Sequence, residues 1–318
     1  MNQNFLQKAT LVLSLFILST CIGLTDLNAQ TKYRSIDGTG NNLINIKWGS
    51  AGIPLFREIP AEYGPSDPKN ALGGASRPSA RHISNRLSDE VEDIQNARNL
   101  SGLTYIWGQF LDHDITLTPG GTESAPISLP SYEPIFTAPI PFRRSAAFPG
   151  TGITTARDQG NDQTSWVDAS HVYGANAATA NWLRTFKDGK LKVSAGNLLP
   201  YNTLTGEFDS ALDPTAPKMD DDNNRTKKTF AAGDPRAAEH PGLTSLHTLF
   251  VREHNRICDE TKIKGGTDEE IYQIARKKVG ALMQVITYGQ WVSTFGVQLT
   301  SYTGYKPSAR PEIGRAHV

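Results

Sequence analysis

Between Leu103 and Asp114 apolar side chains return at helical intervals, and the stretch closes on three adjacent ionisable residues, Asp112, His113 and Asp114. Leu103, Ile106, Trp107, Phe110 and Leu111 follow the i, i+3, i+4, i+7, i+8 spacing of an amphipathic helix. Each residue of a helix is rotated by roughly 100° from the last, which stacks Gln109 and His113 on one face. Asp112 sits about 100° round from His113. Asp114 points almost opposite to Asp112, into the apolar stripe. Aspartate and histidine are rarely buried without a partner. The helix is therefore expected to serve two separate polar sites.

A second segment supplies a candidate for one of them. Thr164, Asp168 and Ser170 carry side-chain oxygens and Trp166 a backbone carbonyl, at alternate positions that share a direction if the segment is extended. Hard oxygen donors of this kind suit Ca²⁺, which takes six to eight of them. A third segment, Ala232-Gly233-Asp234-Pro235-Arg236-Ala237-Ala238-Glu239, places a permanent cation and a carboxylate before the helical run 243–256.

Together these segments resemble the animal-type haem peroxidases. The resemblance begins near Tyr33–Asn42, passes through Arg77-Pro78-Ser79-Ala80-Arg81 and runs to about Pro311. It implies a mainly α fold with long loops and little β. It also implies roles, residue by residue. His113 is expected as the distal base above a haem iron with Gln109 beside it, and Arg236 as the distal arginine. Asp112 and Glu239 match the carboxylates that esterify haem methyl groups in the family. Asp114 matches the Ca²⁺ ligand given by the distal helix, completed by Thr164, the Trp166 carbonyl, Asp168 and Ser170. The cofactors implied are haem b, ester-linked through Asp112 and Glu239, and Ca²⁺. Hydrogen peroxide and a small reducing substrate are the implied partners: a halide, a pseudohalide or an aromatic donor.

Two departures from the family matter. Myeloperoxidase carries a methionine, linked to a haem vinyl group, one residue after its second ester carboxylate. His240 stands there in this chain, so no sulfonium link is expected, and His240 is expected to border the haem. The family's proximal histidine lies in the helix after the segment resembling Tyr302–Pro307, and the reading here is of a fold truncated before that helix.

At the N-terminus Lys8 precedes the apolar run Leu11–Leu18, and Leu27-Asn28-Ala29 offers small residues for cleavage. Residues 1–29 are thus read as a secretory signal peptide, which directs the protein to the periplasm or the exterior. A lipoprotein site at Leu18–Cys21 is disfavoured by the bulk of Thr20. The domain is expected over 30–311, with 312–318 a non-native tail and His317 no ligand. Loss of Cys21 with the leader would leave Cys258 without an intrachain disulfide partner. The 32 basic and 32 acidic side chains balance, which gives no reason to expect a nucleic-acid surface.

Helices are expected over 100–115, 242–260 and 268–288, the last opened by a Thr267/Glu270 capping box and carrying the stripe Ile271, Ile274, Ala275, Val279, Leu282, Ile286. Residues 116–163 and the acidic turn 220–224 read as loops. His247 and His254 lie seven apart on a helix but lack zinc-hydrolase spacing, and are expected to be buried and hydrogen-bonded. Two other functions stay open. One is a fatty-acid dioxygenase of the same superfamily, which the pair Asp112 and Glu239 disfavours. The other is a catalytically silent, Ca²⁺-stabilised matrix or adhesion module, for which His113, Arg236 and Gln109 would have no use.

Overall fold

The computed structural model describes residues 33–59 and 77–311. The expected signal peptide, the Cys21 alternative and the tail 312–318 lie outside the described residues. The chain divides into two units at Ser35–Ile36, and every regular element belongs to the second.

That unit is mainly helical, as its apolar periodicities require. The helices are α1 (Ala80–Leu87), α2 (Leu103–Ile115), α3 (Ser170–Tyr173), α4 (Ala177–Leu183), α5 (Pro241–Lys262), α6 (Asp268–Gln284) and α7 (Val292–Thr294), with a π-helical segment at Val285–Trp291. Strands are few. β1 (Ile53–Pro54) pairs antiparallel with β4 (Gly160–Asn161), and β2 (Gly120–Ser124) with β3 (Arg143–Ser145). These strands give 116–163 short hairpin-like ties that a loop reading does not anticipate.

Helices α5 and α6 pack along each other and α2 crosses α5. Pro241 occupies the first turn of α5, where a missing amide hydrogen costs nothing, and His240 caps it. Leu243, His247, Phe250, Val251, His254, Ile257 and Cys258 then bury one face. α6 opens with the expected capping box, in which the Thr267 hydroxyl accepts from the Glu270 amide and Glu270 accepts from the Thr267 amide. The long third helix departs from its expected course near Leu282, which is 37% exposed while Met283 is fully buried. Beyond Gln284 the helix widens into the π segment, and this aims Thr287 and Trp291 at α2. Trp107 Nε1 donates to Thr287 Oγ1 at 3.3 Å, and Trp291 Nε1 donates to the Thr104 carbonyl at 2.8 Å.

Phe110 is the centre of this packing. Its ring lies 4.1 Å from His171, 5.0 Å from His247 and 5.4 Å from Phe250. The expected apolar stripe of α2 is only partly buried: Trp107 and Phe110 are enclosed, whereas Leu103 is 66% exposed. Gly233 is demanded by close approach. A Cβ there would fall 2.2 Å from the Gly174 amide and 2.7 Å from the His171 carbonyl.

Both α5 histidines are buried, but only His254 is hydrogen-bonded as expected. Its Nδ1 meets the Tyr173 hydroxyl at 2.9 Å and its Nε2 the Gly189 carbonyl at 2.9 Å. His247 has no hydrogen bond and packs edge-to-face on Phe110 and His171. Cys258, the one free cysteine among the described residues, is buried and donates to Gly189 O at 3.3 Å.

Burial pushes His254 down from 6.5 to about 4. The unfolded chain thus binds more protons than the folded one between those values, so stability is full above 6.5 and is lost as pH falls towards 4. Urea unfolding of wild type and His254→Gln across that window should show a shallower acid loss in the variant. Parallel curves would show that His254 does not titrate on unfolding.

Candidate active site

Asp114 leaves the end of α2 and is fully buried. Its Oδ2 accepts the amides of Asp168 at 3.1 Å and Ala169 at 3.2 Å. The Ser170 hydroxyl donates to the Asp114 carbonyl at 2.7 Å and lies 3.2 Å from Oδ1. Thr164 Oγ1 stands 3.0 Å from Asp168 Oδ1, 3.4 Å from the Trp166 carbonyl and 3.4 Å from Ser170 Oγ. All five oxygen-bearing residues singled out in the sequence are therefore gathered in one place. The means differs from the expected extended alternation. Residues 165–168 form bends, Ala169 turns left-handed at φ 68°, and Ser170 begins α3. Among the described residues no three His, Cys, Asp or Glu side chains assemble as a metal site. This cluster depends instead on two carboxylates with hydroxyls and a carbonyl.

One residue back along α2, His113 faces a different neighbourhood. It is 3% exposed, with Nδ1 3.8 Å from Asp234 Oδ1 and Nε2 3.8 Å from Glu239 Oε2. Asp234 is wholly buried and clamps Arg236, accepting from Nε at 2.9 Å, from Nη2 at 2.7 Å and from the backbone amide at 2.8 Å. Gln163 Nε2 donates to the same carboxylate at 2.9 Å. Arg236 Nη2 also donates to the Thr116 carbonyl at 2.7 Å, and Nη1 lies 3.8 Å from Asp112 Oδ2. A fork of this kind holds the guanidinium in one plane.

The charges follow from this arrangement. Burial first, and then the Arg236 cation, push His113 down to about 4, so its imidazole is neutral at neutral pH. Burial alone would raise Asp234. The hydrogen bonds and charge of Arg236 outweigh it and hold the carboxyl below its ordinary range.

Gln109, one turn before His113, donates from Nε2 to Glu239 Oε2 at 2.7 Å, and its Oε1 meets His240 Nε2 at 2.9 Å. Asp112 and Glu239 are the open members of the group, with side chains 28% and 42% exposed. Gln109, Asp112, His113, Arg236 and Glu239 thus share one site. Asp114 belongs to the oxygen cluster behind it.

Three residues of this region carried no assigned role in the sequence. Asp234 and Gln163 hold Arg236, and His171 Nδ1 lies 2.9 Å from Asp114 Oδ1. The Asp-Pro-Arg order is a usable signal for Asp234, because a proline between an acid and a guanidinium favours a tight local fork. Nothing in the sequence marks Gln163.

Residues 33–318 match the Animal haem peroxidase family. This chain belongs to that family. It is 34% identical to mouse thyroid peroxidase over 91% of this chain and 36% of the relative. It is 35% identical to mouse myeloperoxidase over 89% of this chain and 44% of the relative. The chain thus spans less than half the length of these relatives. The fold is similar to peroxidase A of Dictyostelium discoideum, with a TM-score of 0.73 and 27% identity, covering 88% of this chain and 56% of that one. It is also similar to the fatty acid alpha-dioxygenase of Arabidopsis thaliana, with a TM-score of 0.63 and 25% identity over 84% of this chain and 38% of that one. Membership of the animal haem peroxidase family implies a haem cofactor.

Removing one partner of a buried ion pair strands the other, at a cost of about 3–5 kcal/mol. Asp234→Ala should therefore lower the unfolding free energy in urea by about that amount. A loss under ~0.5 kcal/mol, the range of ordinary surface substitutions, would mean that the Asp234–Arg236 fork does not organise the site.

Proposed function

We propose that the protein, loaded with haem, reduces hydrogen peroxide and oxidises a halide, a pseudohalide or a small aromatic donor. One observation carries the reading: a buried, neutral imidazole stands beside a clamped guanidinium and between two partly open carboxylates. The residues fit a haem. Asp112 and Glu239, the open carboxylates beside Arg236 and His113, are the residues that would hold the group. Bound haem would supply the oxidising equivalents.

The chain's own residues supply the rest. His113 Nε2 takes the proton that peroxide sheds and returns it to the departing oxygen, which requires the neutral ring. Arg236 cannot deprotonate, so its charge is fixed as negative charge builds on that oxygen. Asp234 keeps the guanidinium from swinging away. Asp112 and Glu239 would tie the cofactor to the two sides of the site.

The oxygen cluster fits Ca²⁺. Asp114 and Asp168 bring two negative charges into a buried place, and such charges are too costly to leave without a cation. The neutral donors Thr164, Ser170 and the Trp166 carbonyl, with no nitrogen or sulfur among the five, favour Ca²⁺ over Zn²⁺. An ion there would brace the helix that carries His113. The pattern Lys8–Ala29 supports a place outside the cytoplasm. The likeness to alpha-dioxygenase keeps fatty-acid oxygenation as a second reading, and products formed from bromide or from a long-chain fatty acid separate the two.

His113→Ala should slow the reaction with peroxide by at least the ~10²-fold of lost acid–base catalysis while haem stays bound. Stopped-flow absorbance of the haem measures this, and an unchanged rate would sink the mechanism. Asp168→Ala should lower thermal stability and calcium content together. A wild type free of calcium, with Asp168→Ala equally stable, would refute the metal assignment.

A further inference from the structure

His240 joins the start of α5 to Gln109, and its two ring nitrogens have different work. The Gly242 amide donates to Nδ1 at 3.1 Å. A backbone N–H is a donor in every circumstance, so Nδ1 presents its lone pair and the neutral ring carries its proton on Nε2. That proton is directed at Gln109 Oε1, 2.9 Å away. With its oxygen engaged there, the amide turns its NH₂ group to the opposite side, where Nε2 donates to Glu239 Oε2 at 2.7 Å. Each link thus points the same way, from the first turn of α5 to Glu239. The seat of the ring is equally specific. A Cβ on Gly242 would fall 2.9 Å from His240 Cε1 and 2.8 Å from Ile106 Cδ1, so a side chain there would make the imidazole or Ile106 shift.

We propose that His240 is a positioning residue for Glu239: it locks the Gln109 amide with its NH₂ towards Glu239, engages Oε2, and leaves Oε1 as the oxygen that bonds to haem. The proposal rests on the haem reading of the site. Attachment forms a C–O bond from Glu239 Oε1 to a haem methyl carbon and breaks one methyl C–H bond. Hydrogen peroxide accepts the two electrons. With the proton released from the methyl group and one from solvent, it leaves as two waters. A carboxylate held by one oxygen has a single orientation for the other, which favours bond formation through position alone.

His240→Asn separates the two tasks of the ring. Asparagine caps helices well, so α5 keeps its acceptor, but the shorter side chain cannot reach Gln109. The first measurement uses this chain without haem, labelled with ¹⁵N-glutamine. Gln109 signals are identified by their loss in Gln109→Glu. Exchange of the Gln109 amide protons with solvent should quicken roughly tenfold in His240→Asn, as expected for loss of a hydrogen bond within a charged network. Equal exchange in the two proteins overturns the lock.

The second measurement uses the haem-loaded protein, dosed with peroxide and analysed by peptide mass spectrometry. The Glu239–haem peptide should form roughly tenfold more slowly in His240→Asn, and the Asp112–haem peptide at the wild-type rate. Equal rates for Glu239, or equal slowing at both carboxylates, overturn the proposal. Both peptides missing from a haem-containing wild type overturn the attachment step and the proposal with it. A wild type that binds no haem refutes the functional reading instead, and the exchange measurement then decides the orientation of Gln109 by itself. Gly242→Ala, which crowds the ring while keeping the imidazole, should reproduce both effects and stands in if His240→Asn fails to fold.

Discussion

The carboxylate of Asp114 sets the position of everything on α2. It is sealed from solvent, it receives two backbone amides from the 168–169 turn, and the Ser170 hydroxyl lies 3.2 Å from its Oδ1. A helix tied at its last turn in this way cannot roll, and rolling is the motion that would carry Gln109, Asp112 and His113 off their targets. From this follow the 3.8 Å approach of His113 to both Asp234 and Glu239 and the reach of Arg236 to the carbonyl of Thr116 at the helix end. The π-widened segment after Gln284 fixes the other side of the same helix through Thr287 and Trp291.

Much of this was legible in residue order because neighbours on a helix have fixed bearings. Asp112 and Asp114 part by roughly 200°, and they do face different sites. The oxygen donors of 164–170 were legible as a set of chemical types, yet their convergence comes from a left-handed Ala169 and the start of α3, which no alternation rule contains. Asp234 was hidden for another reason. The Asp-Pro-Arg order hints at its clamp on Arg236, but its place beside His113 arises only when the 232–239 loop folds back on α2. Met283 continues the series Ile271, Ala275, Val279 at intervals of four within α6, so the core face at 282–283 was a choice between two neighbouring apolar residues, and packing took Met283.

The site is also a lesson in how neutrality is kept inside a protein. His113 has a guanidinium and the carboxylates of Asp234 and Glu239 about it; burial first and the Arg236 cation second keep the ring neutral, with Asp234 opposing them only in part. A lone arginine at this distance would repel a protonated imidazole and attract water. Clamped to Asp234, it offers a positive charge fixed in place, and a field that need not reorganise acts most strongly.

Cys258 lies in the closely packed seam where α5, Tyr173 and Gly189 meet, with its thiol pushed up to about 12 by burial. A thiol so far from its thiolate form does not react with alkylating reagents at neutral pH. Once that seam opens, the same sulfur becomes an ordinary nucleophile. The described domain therefore carries its own unfolding reporter: the rate at which a maleimide tags Cys258 counts excursions of the α5 core, with no probe added to the sequence.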